Sequence, residues 1–181
     1  MTTSSEALIT EGRRVLRIEA ASVAALEHRI DEEFVRACRI VADAMGRIVV
    51  CGVGKSGHIG RKIAATLTST GTSATFLHAV EALHGDLGIV GRDDVAILIS
   101  KSGEGSELER LTGYLARLGV SVIAITGRPE STLASDATVV LDCSVAEEAC
   151  PMDLAPTSST TATLALGDAL AMVVLQLKGF Q

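Results

Sequence analysis

Residues 47–70 read RIVVCGVGKSGHIGRKIAATLTST. The apolar run Ile48-Val49-Val50-Cys51 predicts a buried strand. Gly52, Gly54 and Gly57 set a tight turn behind it. Ile59, Ile63 and Leu67 then recur at helical spacing, with Gly71 as the stop. Strand, glycine turn and helix aim free backbone N–H groups at an anion. Lys55 and Ser56 lie in that turn, where a small charged ligand would meet them. The stretch predicts one wall of a binding site.

Working outward, residues 4–45 read as helix. Leu16, Val23 and Ile30 repeat every seven, and Leu26, Phe34, Cys38 and Val41 extend the stripe. Asp31 with Glu32 and Glu33 marks a second helix start. A long helix ahead of the first strand suits packing on a neighbouring subunit. Downstream, strands are expected at residues 74–78, 94–100, 122–126 and 138–141, each Val/Ile-rich and separated by helical spacing. A long loop, 142–156, leads to a final helix over 157–178. Continuous apolar strands alternating with helices mean a parallel sheet covered on both faces. In such sheets ligands bind at the carboxyl ends of the strands. This chain places Gly54-Lys55-Ser56, His78 to His84, Ser100 to Glu107 and Glu147-Glu148 there.

Composition narrows the function. The chain has 181 residues, enough for one domain with a real core. Net charge is −6, with no Trp, three Phe and one Tyr. There is no basic stripe and no set of stacking aromatics, so a nucleic-acid partner is not expected. No apolar run stands out as a membrane span of about 20 residues. The N-terminal residues lack a signal-peptide core, which makes the cytoplasm the expected compartment. Cys38, Cys51, Cys143 and Cys150 show no CxxC spacing and read as free thiols.

Three loops carry the candidate chemistry. GVGKSG fits GxGxxG, but a dinucleotide fold wants an acid ending the second strand, and Leu77 and His78 stand there. A nucleotide P-loop needs glycine at position 49, which is Val49. What remains is a turn that admits a small phosphorylated ligand. In the second loop, Ser100-Lys101-Ser102-Gly103-Glu104, two hydroxyls precede a helix start and could hold a phosphate. The plainer reading has Ser102 or Ser106 capping that helix. In the third, Pro156 to Thr161, five hydroxyl residues open a helix; alone they read as a cap with solvated neighbours. His78 and His84 lie six apart without a zinc-hydrolase spacing. Glu147 and Glu148 read, most simply, as a surface pair.

GVGKSGHIGRKIAATLTSTGT, HAVEALHGDLGIV, SKSGEGSE, ITGRPES and EEACPMDLAPTSSTTATLALGDALA, taken in order, resemble the sugar isomerase (SIS) domain of arabinose-5-phosphate isomerases. The resemblance runs from about residue 5 to 180. It implies a three-layer α/β/α sandwich around a five-stranded parallel flavodoxin-like sheet. Residues 47–181 would form the SIS domain, and residues 1–46 a helical segment of the same domain. It implies a homotetramer with sites at subunit contacts, acting on a phosphorylated pentose and needing no cofactor. The reaction would interconvert D-arabinose 5-phosphate and D-ribulose 5-phosphate, feeding Kdo and lipopolysaccharide synthesis. The resemblance carries functional positions onto Lys55, His84, Glu107 and Glu148. It carries substrate-contacting positions onto Gly71, Thr72, His78 and His84, and a zinc-contacting one onto His78, where zinc would be inhibitory or adventitious. Gly54, Ser56, Ser100, Ser102, Glu104, Thr157 and Ser158 would hold the phosphate or sugar hydroxyls.

The chain also departs from the family pattern. Val80 and Leu83 replace smaller residues, and Lys101 replaces the usual Asn or Tyr. The family continues past the last helix into a segment with another functional histidine, and longer members carry paired CBS domains; this sequence ends at Gln181. Isomerisation would proceed through a cis-enediol, with Glu148 or Glu107 moving the proton between C1 and C2. Rival expectations are an isomerase for a hexulose 6-phosphate and a non-catalytic phosphosugar sensor.

Overall fold

A computed structural model describes residues 4–179. Ser4 accepts the Ala7 N–H and opens helix α1, Ser5–Ala25. A single tight turn, Leu26–Arg29, breaks the helical run. Asp31 then caps α2, Glu32–Ala42, by accepting the N–H groups of Glu33 and Phe34. The restart expected at Asp31 is therefore found. The remaining order is β1 (Ile48–Gly52), α3 (Gly54–Ser69), β2 (Ala74–His78), α4 (Ala79–Leu83), β3 (Val95–Ser100), α5 (Ser106–Leu118), β4 (Ser121–Thr126), α6 (Thr132–Asp136), β5 (Val139–Asp142) and α7 (Ser158–Leu177).

All five strands run parallel in the order β2-β1-β3-β4-β5. Alternate residues of each strand face opposite layers. Ile48, Val50, Ile97, Ile123 and Ile125 pack under α2, α3 and α7. Val49, Cys51, Leu98, Val122 and Ala124 pack under α4, α5 and α6. That is why the strands are apolar throughout rather than alternating. Asp94 is not the first strand residue but the buried anchor before it: its carboxylate accepts the N–H groups of Arg47 and Gly91.

The first stripe divides between two settings: Leu26, Phe34, Cys38 and Val41 belong to the core, while Leu16 is 69% exposed and Ile30 lies open too. Helix α1 rests across α7, where Glu19 accepts the Thr161 hydroxyl at 2.9 Å. One expectation needs correction: one stretch does match a membrane span in length and apolarity, namely α7 with its 20 residues. Here it is a core helix. Leu166, Leu170 and Val174 face the sheet, and Gly167 lets it approach Ile63 of α3 closely.

Candidate active site

The carboxyl ends of β1, β3, β4 and β5 open onto a cavity of about 610 Å³. Its wall includes Lys55, Ser56, Lys101, Ser102, Arg128, Asp153, Ser159 and Thr160. A smaller cleft of about 210 Å³ adjoins it and shares Val53 and Ser56. Ser100, Glu104 and Glu107 line that cleft. Three cations thus face one cavity in a chain of net charge −6. Local charge, not the overall field, would draw an anion here.

Helix starts supply the neutral donors. Val53, the residue before α3, offers no side-chain cap, so Gly54, Lys55 and Ser56 begin the helix with N–H groups free of side-chain partners. Helix α5 also starts without a side-chain cap, at Gly105. The expectation that Ser102 or Ser106 caps α5 fails. Ser102 instead accepts the Glu104 N–H within the loop, and Ser100 accepts the Gly103 N–H. Gly103 takes a φ of +66°, and a methyl group there would collide with Ser131. Glu104 accepts both the N–H and the hydroxyl of Thr132. Those bonds hold its carboxyl below the ordinary carboxylate range.

Glu148 is no surface carboxylate. Its neighbour Glu147 is exposed, but Glu148 is only 7% exposed. Its Oε1 accepts the Ser159 hydroxyl and lies 2.8 Å from the Lys101 ammonium. Its Oε2 accepts the N–H of Thr157 at 2.7 Å, the Thr157 hydroxyl at 3.0 Å and the N–H of Ser159 at 3.2 Å. Burial pushes its pKa up. Lys101, Ser159 and the N–H groups of Thr157 and Ser159 outweigh that and bring it down to about 2. Glu148 therefore caps α7 from the loop before it, a negative charge at a helix N-terminus. The hydroxyl run Thr157 to Thr161 is correspondingly not solvated. Ser158 and Ser159 are buried, Ser159 and Thr160 face the cavity, and the Ser158 hydroxyl has no partner among the described residues.

The structure brings Lys55, Ser56, Ser102 and two partners of Glu148, Lys101 and Ser159, to one cavity, with Ser100, Glu104 and Glu107 next door and Thr157 outside both. The histidines are placed apart. His78 pairs in register with Gly52 at the same sheet edge, and its Nδ1 accepts the Val80 N–H. His84 ends α4, exposed, and lines neither pocket. Gly71 and Thr72 precede β2, at the opposite edge of the sheet from Lys55. Within one chain they do not join the cavity. Among the described residues no three His, Cys, Asp or Glu side chains come together, so His78 finds no companion metal ligands in its own chain. Lys101 and Arg128 were missed as candidates. Lys101 follows directly on β3 and Arg128 lies two residues past β4, and that position was the available signal.

A family model described as the SIS domain matches residues 40–173. The chain belongs to the SIS domain family. Similar curated proteins include arabinose 5-phosphate isomerase KdsD of Pseudomonas aeruginosa, 51% identical over 172 residues. Arabinose 5-phosphate isomerase GutQ of Escherichia coli K12 is 52% identical over 176 residues. These alignments cover 95% and 97% of this SIS chain but 53% and 55% of the relatives. The chain spans about half the length of the curated relatives it matches. Among solved structures, the Escherichia coli CFT073 protein c3406 in complex with arabinose 5-phosphate aligns with a TM-score of 0.91 at 38% identity, covering 99% of this chain and 95% of that one.

Proposed function

We propose that this SIS domain interconverts D-arabinose 5-phosphate and D-ribulose 5-phosphate through a cis-enediol. The observation that carries the reading is a cavity of suitable size in which three cations and two uncapped or hydroxyl-rich helix starts meet, with a buried carboxylate bonded to Lys101 and Ser159 behind its wall. The names of the half-matching relatives and the arabinose 5-phosphate complex of a structural neighbour support the choice of sugar. Phosphate binding energy would hold the reacting carbons in place.

Glu148 serves as the base. It removes the C2 proton of the open-chain aldose, the O2 hydroxyl proton passes to O1 through the enediol, and a proton returns to C1, so the ketose forms with no net gain or loss. It sits behind the cavity wall, shielded from water, where a carboxylate is most effective once its donors loosen. Lys55 neutralises the charge growing on the enediolate oxygen. Among the described residues Glu107 meets only the Ser106 hydroxyl, at 3.4 Å, which leaves its carboxylate to hold sugar hydroxyls. His84, Gly71 and Thr72 would act across contacts between copies in a homotetramer, His84 assisting ring opening or passing a proton between the sugar oxygens. The interconversion would feed Kdo and lipopolysaccharide synthesis in the cytoplasm.

The test is ¹³C NMR of arabinose 5-phosphate incubated with the protein and two variants. Wild type should produce ribulose 5-phosphate. Glu148→Gln should lose at least about a hundredfold in kcat, and Lys55→Ala about as much. Lys55 is exposed, so its loss should change stability by less than about 0.5 kcal/mol. Near-normal turnover of Glu148→Gln would pass the base role to Glu107. Conversion of a hexulose 6-phosphate but not of arabinose 5-phosphate would establish the rival isomerase.

A further inference from the structure

Lys101 and Glu148 form an unequal pair. The Lys101 side chain is 53% exposed and lines the cavity, while the Glu148 side chain is 2% exposed behind it. The Lys101 carbonyl accepts the Gly127 N–H at 3.2 Å, which pins the backbone to the end of β4 and leaves the side chain to move. An ammonium has three donors, and Glu148 is the anion that the structure gives it. Glu148, by contrast, keeps Ser159, Thr157 and two N–H groups without Lys101. Lys55 and Arg128 line the same cavity, and Asp153 is the one acid in its wall among the described residues. A dianion entering here meets a lysine already at hand on a flexible four-carbon stem.

We propose that Lys101 is a positioning residue that changes partner, from the Glu148 carboxylate in the free protein to the phosphate of a bound sugar. The proposal rests on the phosphosugar reading above. The exchange leaves Glu148 with neutral donors only, in a place where burial favours the protonated form. Glu148 thereby gains basicity when the sugar arrives, and stays masked when no sugar is bound.

Inorganic phosphate is the probe, titrated calorimetrically into the full chain. Lys101→Met should weaken binding at least about tenfold, and Lys101→Arg should stay within about threefold of wild type. Glu148→Gln removes the competitor, so phosphate should bind several-fold more tightly. A second measurement does not depend on that variant folding. The Lys101 side-chain NMR signal, identified by its loss in Lys101→Met, should shift when phosphate is added to wild type. In turnover, Lys101→Met should raise KM about tenfold with kcat within about threefold. Unchanged phosphate binding in Lys101→Met, or an unmoved Lys101 signal, would overturn the exchange. Lys101-dependent phosphate binding without sugar interconversion would contradict the isomerase reading and leave the exchange standing.

Discussion

Glu148 holds the end of α7 and the wall of the cavity at once. Folded, its pKa lies near 2 against an ordinary 4.5. A depressed carboxylate stabilises the fold above its unfolded pKa and loses that contribution as pH falls through the folded value. Between about pH 4.5 and pH 2 the protein should therefore lose about 3 kcal/mol from this group. Urea titrations across that range should show a steeper decline in wild type than in Glu148→Gln. An equal slope in both would assign acid sensitivity elsewhere. The sequence placed Glu148 at the correct sheet edge but could not tell a buried cap from a surface pair. Its partners lie nine and eleven residues on in the chain, or come from another strand end, and no local pattern reports such contacts.

At the level of elements, legibility followed periodicity. All five strands and the long helices were readable because their apolar residues face two covered layers and recur at fixed spacing. The starts of α5 and α7 were not, because hydroxyl residues at a helix start look alike whether they cap, bind or are capped by something distant. The contact between α3 and α7 was equally invisible, since it depends on one small residue. A methyl group at Gly167 would press into Ile63, which is fully buried. Gly167→Ala should cost about 1–3 kcal/mol by overpacking. Adding Ile63→Val should recover part of that loss, measured by chemical denaturation. Additive costs would mean that the two residues do not share the strain.

The whole molecule leaves work for a second copy. Leu8 and Ile9 of α1 are 62% and 54% exposed, and Ile9 shares a helix face with Leu16. The histidine loop and the Gly71-Thr72 turn sit off the cavity of their own chain. Both observations fit a homotetramer in which neighbours complete each site. Light scattering should give a tetramer mass for wild type and a smaller species for the pair Leu8→Glu with Leu16→Glu, with the α/β core still folded. Identical masses would remove α1 from the interface. The sequence could suggest assembly from the long first helix, but a heptad stripe looks the same whether its own core or another copy covers it.

In the proposed reaction this site moves a proton between two carbons of a pentose phosphate. Incubating arabinose 5-phosphate with the protein in D₂O and following the carbon-bound positions by NMR tests it most directly. Ribulose 5-phosphate should appear together with deuterium at C1, and the same mixture should form from either sugar. Arabinose 5-phosphate that binds yet keeps its C2 proton and yields no ketose would contradict the account.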